Sequence, residues 1–350
     1  MDLSRAAAVI RDMEEAAFRL SQVRQGVFGG SVSSYEEIAV LPQALRRELE
    51  RAAPILCLRA REVVVSADQR AHRAVLRLGD GKCIESVLLR PSPQRWTACV
   101  SVQAGCAFGC AFCATGRMGF IRDLTGEEIS DQVLFWRQYM RREGLAGRLD
   151  NVVYMGMGEP LANYENVAAS LRALTDQKQF GIGARHIAVS TVGLPAAIER
   201  FGEDFPQINL AISLHAASDA LRTRLVPANK AYPLAELARA LGKYVERSSR
   251  KVLLEYVLLS GVNDRPADAE DLTAFVRRLG RPELFHVNLI LYNAGPALPG
   301  PGGTLFRPVS EEDARRFQKR LLDAGLKVTV RQSLGEDIRG ACGQLIAEEK

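Results

Sequence analysis

The spacing of apolar residues changes twice along the chain. Over residues 1–55 they recur at helical intervals among Ala, Arg, Glu and Leu, which predicts amphipathic helices. The stretch VSSYEE at 32–37 offers serines to cap a helix and glutamates for its first turn, and Leu41-Pro42 opens another helix. Between 63 and 89 the pattern shortens to β-rich runs (VVVSA, AVLRLG, CIESVLL) parted by polar or glycine-containing turns, as in a small meander. From about Thr97 apolar runs alternate with helical stretches. Strands are predicted at 99–102, 151–155, 187–190, 208–213, 253–258, 287–291 and 328–331, and helices between them include 126–142 and 231–247.

That alternation calls for parallel strands with crossover helices. The expected fold is α/β: a partial (β/α) barrel over 97–350, preceded by a small helical N-terminal domain at 1–55 and a short β-rich connecting segment at 56–96. The run of Pro and Gly from Asn293 to Thr304 predicts the longest loop. In such folds ligands gather at the C-terminal ends of the strands, so a polar residue just after an apolar run is a candidate for chemistry.

Composition narrows the class. Of 350 residues, 47% are hydrophobic and 25% charged, the profile of an ordinary globular protein with enough chain for a sizeable core. The N-terminus mixes charges through its first turns, and the longest uncharged run, 286–306, is broken by Pro and Gly. Neither a secretion signal nor a membrane span is expected, which points to a reducing cytoplasm. There, seven cysteines suggest metal binding or catalysis rather than a disulfide scaffold. The net charge of +5 permits an anionic partner such as RNA without demanding one.

The strongest chemical signal is GCAFGCAFCATG, beginning at Gly105, which sets Cys106, Cys110 and Cys113 in a C-x3-C-x2-C spacing just after a predicted strand. Three thiolates from one tight loop suit a [4Fe–4S] cube whose fourth iron stays open. A structural zinc would need a fourth Cys or His nearby. After the next predicted strand comes YMGMGEP, where Gly158 allows close backbone approach and Glu159 can accept from a ligand ammonium. Ser190, the Ser213-Leu214-His215 triplet and Asn293 end three later runs. Alone, each is an ordinary strand-end residue.

The cysteine triad and the GMGEP stretch resemble the radical S-adenosylmethionine superfamily. With TACVSVQAGC (Thr97 to Cys106), SLHA, and VTVRQSLGEDIRGACGQL ending at Leu345, the resemblance narrows to its RlmN/Cfr family of RNA adenine methyltransferases and runs through essentially the whole chain. It implies a radical-SAM barrel holding one [4Fe–4S] cluster, with two S-adenosylmethionine molecules consumed per turnover. It implies cofactor contacts from Gly158, Glu159, Ser190, Ser213, Leu214, His215 and Asn293. Cys342 matches the cysteine that carries a methyl group, Cys99 its resolving partner by disulfide, and Glu85 the family's proton acceptor. In this chain the stretch between Glu85 and Cys99 is one residue longer than the family pattern. The product implied is 2-methyladenosine, with carbon 8 the other option, in ribosomal or transfer RNA. A monomer served by a flavodoxin- or ferredoxin-type electron donor is implied as well. Phosphate contacts are expected from Arg117, Arg122, Arg141, Arg142, Arg148 or the N-terminal arginines. Cys57 and Cys83 match nothing and read as packing residues. Two other readings remain: a radical-SAM enzyme acting on a protein or small molecule, which has no need of Cys99 and Cys342, and a non-catalytic cluster protein, which has no need of GMGEP.

Overall fold

The computed structural model describes residues 1–293 and 305–345; the predicted loop after Asn293 lies outside them. The N-terminal helical pattern forms α1 (Leu3–Asp12), α2 (Arg19–Arg24) and α3 (Gln43–Ala52), with short turns of helix between α2 and α3. The serine-rich stretch behaves as its chemistry requires: Ser34 caps the turn Tyr35–Glu37 and Glu37 reaches back to the cap.

Among the described residues, ten strands form one continuous sheet. Strands β1 (Leu58–Val65), β2 (Ala71–Leu78), β3 (Cys83–Ser92) and β4 (Arg95–Cys99) pair antiparallel in sequence order. From β4 onward pairing is parallel, through β7 (Arg148–Tyr154), β8 (Ile187–Thr191), β9 (Asn209–Ser213), β10 (Val252–Leu258), β11 (Phe285–Leu291) and β12 (Lys327–Arg331). A separate hairpin, β5 (Gln103–Gly105) with β6 (Phe120–Asp123), frames the three-cysteine loop. The helices are α4 (Ala114–Met118), α5 (Gly126–Arg142), α6 (Tyr164–Thr175), α7 (Pro195–Asp204), α8 (Asp219–Leu225), α9 (Leu234–Ser248), α10 (Pro266–Arg278) and α11 (Glu311–Asp323). This is the mixed α/β architecture of a partial (β/α) barrel with an added helical N-terminus.

Two expectations shift. The strand expected at 99–102 lies earlier, at β4, because the backbone leaves the sheet after Val100: Ser101 N–H donates to the Gln132 side chain at 2.8 Å instead of to a strand. The predicted loop between Leu89 and Trp96 is a tight hairpin, its surplus length taken up as a register shift between Leu89 and Ser92.

Local chemistry explains the elements that place the site. The apolar run of β10 suits a parallel strand covered on both faces, and only Glu255 interrupts it. Strand β2 alternates: Ala74, Leu76 and Leu78 are buried, whereas Arg73, Val75 and Arg77 turn to the opposite, more open face. Helix α5 is capped by Thr125 and Glu128. Beneath the antiparallel strands its Trp136 donates to Ser86 at 2.9 Å and its Tyr139 meets His72 at 3.0 Å. The N-terminal helices share this core, with the Gln138 side chain donating to Val32 O at 2.7 Å.

Candidate active site

The cysteine loop exists because two backbone positions tolerate it. Gly105 has φ +75°, and a Cβ there would lie 1.9 Å from Gly119 O, so only glycine lets the β5–β6 hairpin close. Gly119 O instead accepts from Cys106 N–H at 2.9 Å. The loop is then tied to two distant segments: Ala111 N–H donates to Leu225 O at 2.9 Å and Ala114 N–H to Gly343 O at 2.8 Å. Thr115 adds a bond to Leu345 O at 2.7 Å. The C-terminal segment that carries Cys342 is thereby laced to the loop that carries Cys106, Cys110 and Cys113.

These three thiols are half-buried and line one cavity. Burial raises the Cys106 pKa to about 11, and the Cys113 charge adds to it. Burial pushes Cys110 up further, with the neighbouring Cys113 and Cys106 opposing its ionisation and Arg222 favouring it. Three converging sulfurs that penalise one another's ionisation fit a shared metal cluster, whose positive charge removes the penalty.

The cavity opens to solvent, and its walls are mainly apolar with a few polar groups converging on it, the character of a small-molecule site. Gly158, Glu159, Ser190, Ser213 and His215 all line it, as does Phe112. Gly158 sits at φ +96°, where a Cβ would come within 2.5 Å of Gln103. The Glu159 carboxylate accepts from Leu161 N–H at 2.9 Å and Val192 N–H at 2.8 Å, so it braces two strand ends while retaining lone pairs for a ligand. Burial lifts its pKa to about 7 against those bonds. Ser190 and Ser213 lie side by side, their hydroxyls 3.3 Å apart. His215 Nδ1 accepts from Val257 N–H at 3.1 Å, leaving the ring proton on Nε2, and its ring meets Phe112 edge-on at 4.7 Å. Leu214 differs from its neighbours: its side chain is buried outside the cavity and its carbonyl accepts from Arg222 Nε at 3.2 Å.

A second cavity adjoins the first, with Met155, Ile290, Arg331, Cys342 and Leu345 lining both. Cys99 lines this second one, near enough to Cys342 that a charge on that sulfur opposes ionisation of Cys99. Burial raises Cys99 to about 12, Cys342 adds to the rise, and Arg331 opposes it. Asn293 also lines this cavity and donates to Cys342 O at 3.3 Å. All seven cysteines are free thiols in this structure.

Glu85 lies in β3 on the face it shares with Cys99, since Val87 is the register partner of Cys99. It is buried, ion-paired with Arg73, and absent from the walls of both cavities. Of the remaining cysteines, Cys83 is buried as expected, while Cys57 is half-buried beside Asp131 and Glu127, whose charges join burial in raising it. Most of the arginines nominated for phosphate are paired with carboxylates: Arg122 with Asp80 and Glu128, Arg141 with Glu37, Arg142 with Glu143 and Arg148 with Asp150.

The sequence reading missed three residues. Glu255 lines the first cavity with Oε2 free of hydrogen bonds and 4.0 Å from Arg331 Nη1, and a lone carboxylate inside an apolar parallel strand was the available signal. Arg331 ends β12 between the two cavities, where the strand-end rule points. Arg222 is fully buried and donates to Val192 O at 2.6 Å and Leu214 O at 3.2 Å, tying together two strand ends. Nothing in its surroundings in sequence marked it.

A barrel with three free thiols at its mouth and a GMGEP turn beside them defines a radical-SAM protein, and the Radical SAM superfamily model matches residues 100–273. Its members use a [4Fe–4S] cluster and S-adenosylmethionine. The chain is 42% identical over 349 residues to the probable dual-specificity RNA methyltransferase RlmN of Chloroflexus aurantiacus, covering 98% of this chain and 91% of that one. It is 37% identical over 330 residues to the ribosomal RNA large subunit methyltransferase Cfr of Bacillus velezensis, covering 94% and 91%. A crystal structure of a radical SAM methyltransferase from Sphaerobacter thermophilus superposes with a TM-score of 0.91 at 41% identity, over 99% of this chain and 98% of that one. The chain belongs to the RlmN/Cfr family of radical-SAM RNA methyltransferases and is an enzyme of that type.

Proposed function

We propose that the enzyme methylates a ring carbon of adenine, carbon 2 in preference to carbon 8, in ribosomal or transfer RNA, through a methyl group first placed on Cys342. The observation that carries this reading is the position of Cys342 at the junction of two cavities, one lined by the cysteine triad and the other by Cys99. An adenine carbon flanked by nitrogens is electrophilic and does not attack a sulfonium methyl, so the methyl group needs a carrier on the protein. Cys106, Cys110 and Cys113 would hold a [4Fe–4S] cluster, which together with S-adenosylmethionine would supply 5′-deoxyadenosyl radical chemistry.

The chain's own residues do the rest. Gly158, Glu159, Ser190, Ser213 and His215 hold the cofactor, with the Leu214 backbone and Asn293 completing the ends of the strands. The Cys342 thiolate, in the cavity wall it shares with Arg331, attacks the methyl of a first S-adenosylmethionine and forms the S–CH3 bond as S-adenosylhomocysteine leaves. Cys342 holds that methyl where the two cavities meet, so that it would give up a hydrogen atom toward the cysteine-triad side and bond to an adenine carbon on the Cys99 side. Glu85, the residue the resemblance makes the proton acceptor, shares the sheet face of Cys99 but is paired with Arg73 outside the cavity walls, so taking the ring proton requires that pair to open. Cys99 then attacks the Cys342 sulfur as the carbon–sulfur bond breaks; one proton completes the methyl group, the unpaired electron returns to the electron-donor chain, and the methylated base leaves with a Cys99–Cys342 disulfide behind it. The helices of 1–55 serve as an accessory RNA-binding domain ahead of the β-rich 56–96 segment and the barrel. The enzyme works in the cytoplasm as a monomer, reduced by a flavodoxin- or ferredoxin-type donor.

Cys342→Ala tests the carrier. Mass spectrometry of nucleosides from treated RNA is expected to show 2-methyladenosine with the wild type and none with the variant, while the reconstituted variant still cleaves S-adenosylmethionine. Wild-type methylation by Cys342→Ala would overturn the reading.

A further inference from the structure

Of the antiparallel strands that extend the sheet beyond the barrel, β3 is buried on both faces over Cys83–Leu88, whereas β2 has one covered face and one more open face, and β1 is largely exposed. On the covered side Ala74, Leu76 and Leu78 of β2 are buried. On the other side the register sets Arg59 of β1 opposite Arg77 of β2. Arg61 sits at the bulge of β1 and reaches the same face, its guanidinium 3.6 Å from the Cys83 sulfur, the residue paired with Arg77. Arg59, Arg61 and Arg77 are exposed, and among the described residues no carboxylate pairs with any of them, although the exposed Glu62 shares their face as the register partner of Val75. By contrast Arg73, on the same face but nearer the barrel, is neutralised by Glu85. Unpaired cations on an edge strand are unlike the rest of this surface, where most arginines nominated from the sequence have an acidic partner.

The face also leads to the site. Following it across β2 and β3 to β4 in register brings Val87 and then Cys99, so the arginines and the second cavity share one side of one sheet. At the far end Gly335 of the C-terminal segment packs on Ala71, and Ala67 N–H donates to Asp337 at 2.9 Å, which fixes the Cys342 segment over the same face.

We infer that the exposed face of β1 and β2, through Arg59, Arg61 and Arg77, is a platform for the phosphate backbone of RNA that steers an unpaired adenosine toward the cavity between Cys99 and Cys342. A guanidinium fork matches phosphate oxygens, and a pleated surface carrying arginines from adjacent strands presents them as a row. The inference rests on the proposed RNA reading and goes beyond it by saying where the strand lies.

The test compares Arg59→Gln/Arg61→Gln/Arg77→Gln with a control of equal charge change, Arg315→Gln/Arg316→Gln/Arg320→Gln on α11. Each is titrated against an RNA hairpin with an adenosine in its loop, by fluorescence anisotropy across a salt series. The slope of log affinity against log salt is expected to flatten by about 2 for the first triple variant, roughly 0.7 per lost contact, with affinity near 0.15 M salt falling roughly tenfold or more. The control is expected to keep the wild-type slope, and near-wild-type thermal midpoints for both keep misfolding out of the comparison. Equal slopes for the two triple variants would overturn the platform. So would an unchanged RNA slope with lost reduction by an acidic flavoprotein, which would make the face a docking site for protein. A wild-type enzyme that neither binds nor methylates the hairpin would instead bring down the RNA reading along with the platform.

Discussion

His215 shows how a single side chain is set before any ligand arrives. Its Nδ1 accepts from Val257 N–H, so the neutral ring presents a fixed tautomer, and burial, with Arg222 nearby, lowers its pKa to about 3. In the unfolded chain the same imidazole takes a proton near pH 6.5. Between these values the unfolded state holds the extra proton, so the contribution to stability is whole above pH 6.5 and shrinks as pH falls toward 3, by up to about 1.4 kcal/mol per pH unit. His215→Gln in the metal-free protein is expected to remove that component of the pH slope, measured as denaturant midpoints on either side of pH 6.5. A slope equal to wild type would place the imidazole in solvent. Residues of this kind were legible in part. His215, Ser213 and Glu159 follow apolar runs and so announce themselves, whereas Arg222 acts through a fold-dependent convergence of carbonyls that no local pattern encodes.

Among the elements, the β5–β6 hairpin controls most with least. It contributes seven strand residues, yet it fixes where the cysteine loop starts and ends. Gly105→Ala forces a Cβ against Gly119 O and a side chain into the left-handed region, at a cost of about 1–3 kcal/mol for the backbone alone. The variant is expected to unfold at lower denaturant and to retain less iron per chain after reconstitution. Full iron loading at wild-type stability would show that the loop assembles without the hairpin. Periodicity located the barrel strands and helices: α5 has the predicted bounds, β8, β9, β10 and β12 differ by one residue at an end, β11 starts two residues early, and β7 and α9 are displaced by three at their starts. It failed just before the cysteine loop, where β4 ends early and β5 pairs outside the main sheet, because side-chain bonds from Gln132 and Ser101 replace the ladder there.

At the scale of the whole molecule, one sheet and a shared core join segments that composition had separated. The N-terminal helices are fastened to α5 by Gln138 on Val32 O and by Arg141 on Glu37 at 2.6 Å. A chain beginning at residue 56 leaves that side of α5 uncovered and is expected to lose the single cooperative unfolding transition, seen as a broadened calorimetric peak. A sharp transition at the full-length midpoint would show that the helices are passengers. The meeting of Cys99 with Cys342 was legible only through family resemblance, because it depends on how the last segment folds back across the barrel. That meeting is lopsided: Cys342 is exposed and Cys99 buried. An exposed thiol is open to peroxide, to alkylating electrophiles and to stray metal. Under the proposed scheme the enzyme waits between substrates with Cys342 already a thioether, which lacks the acidic proton and most of the nucleophilicity of the thiol. The methyl in transit is therefore also a protecting group, worn until the substrate removes it.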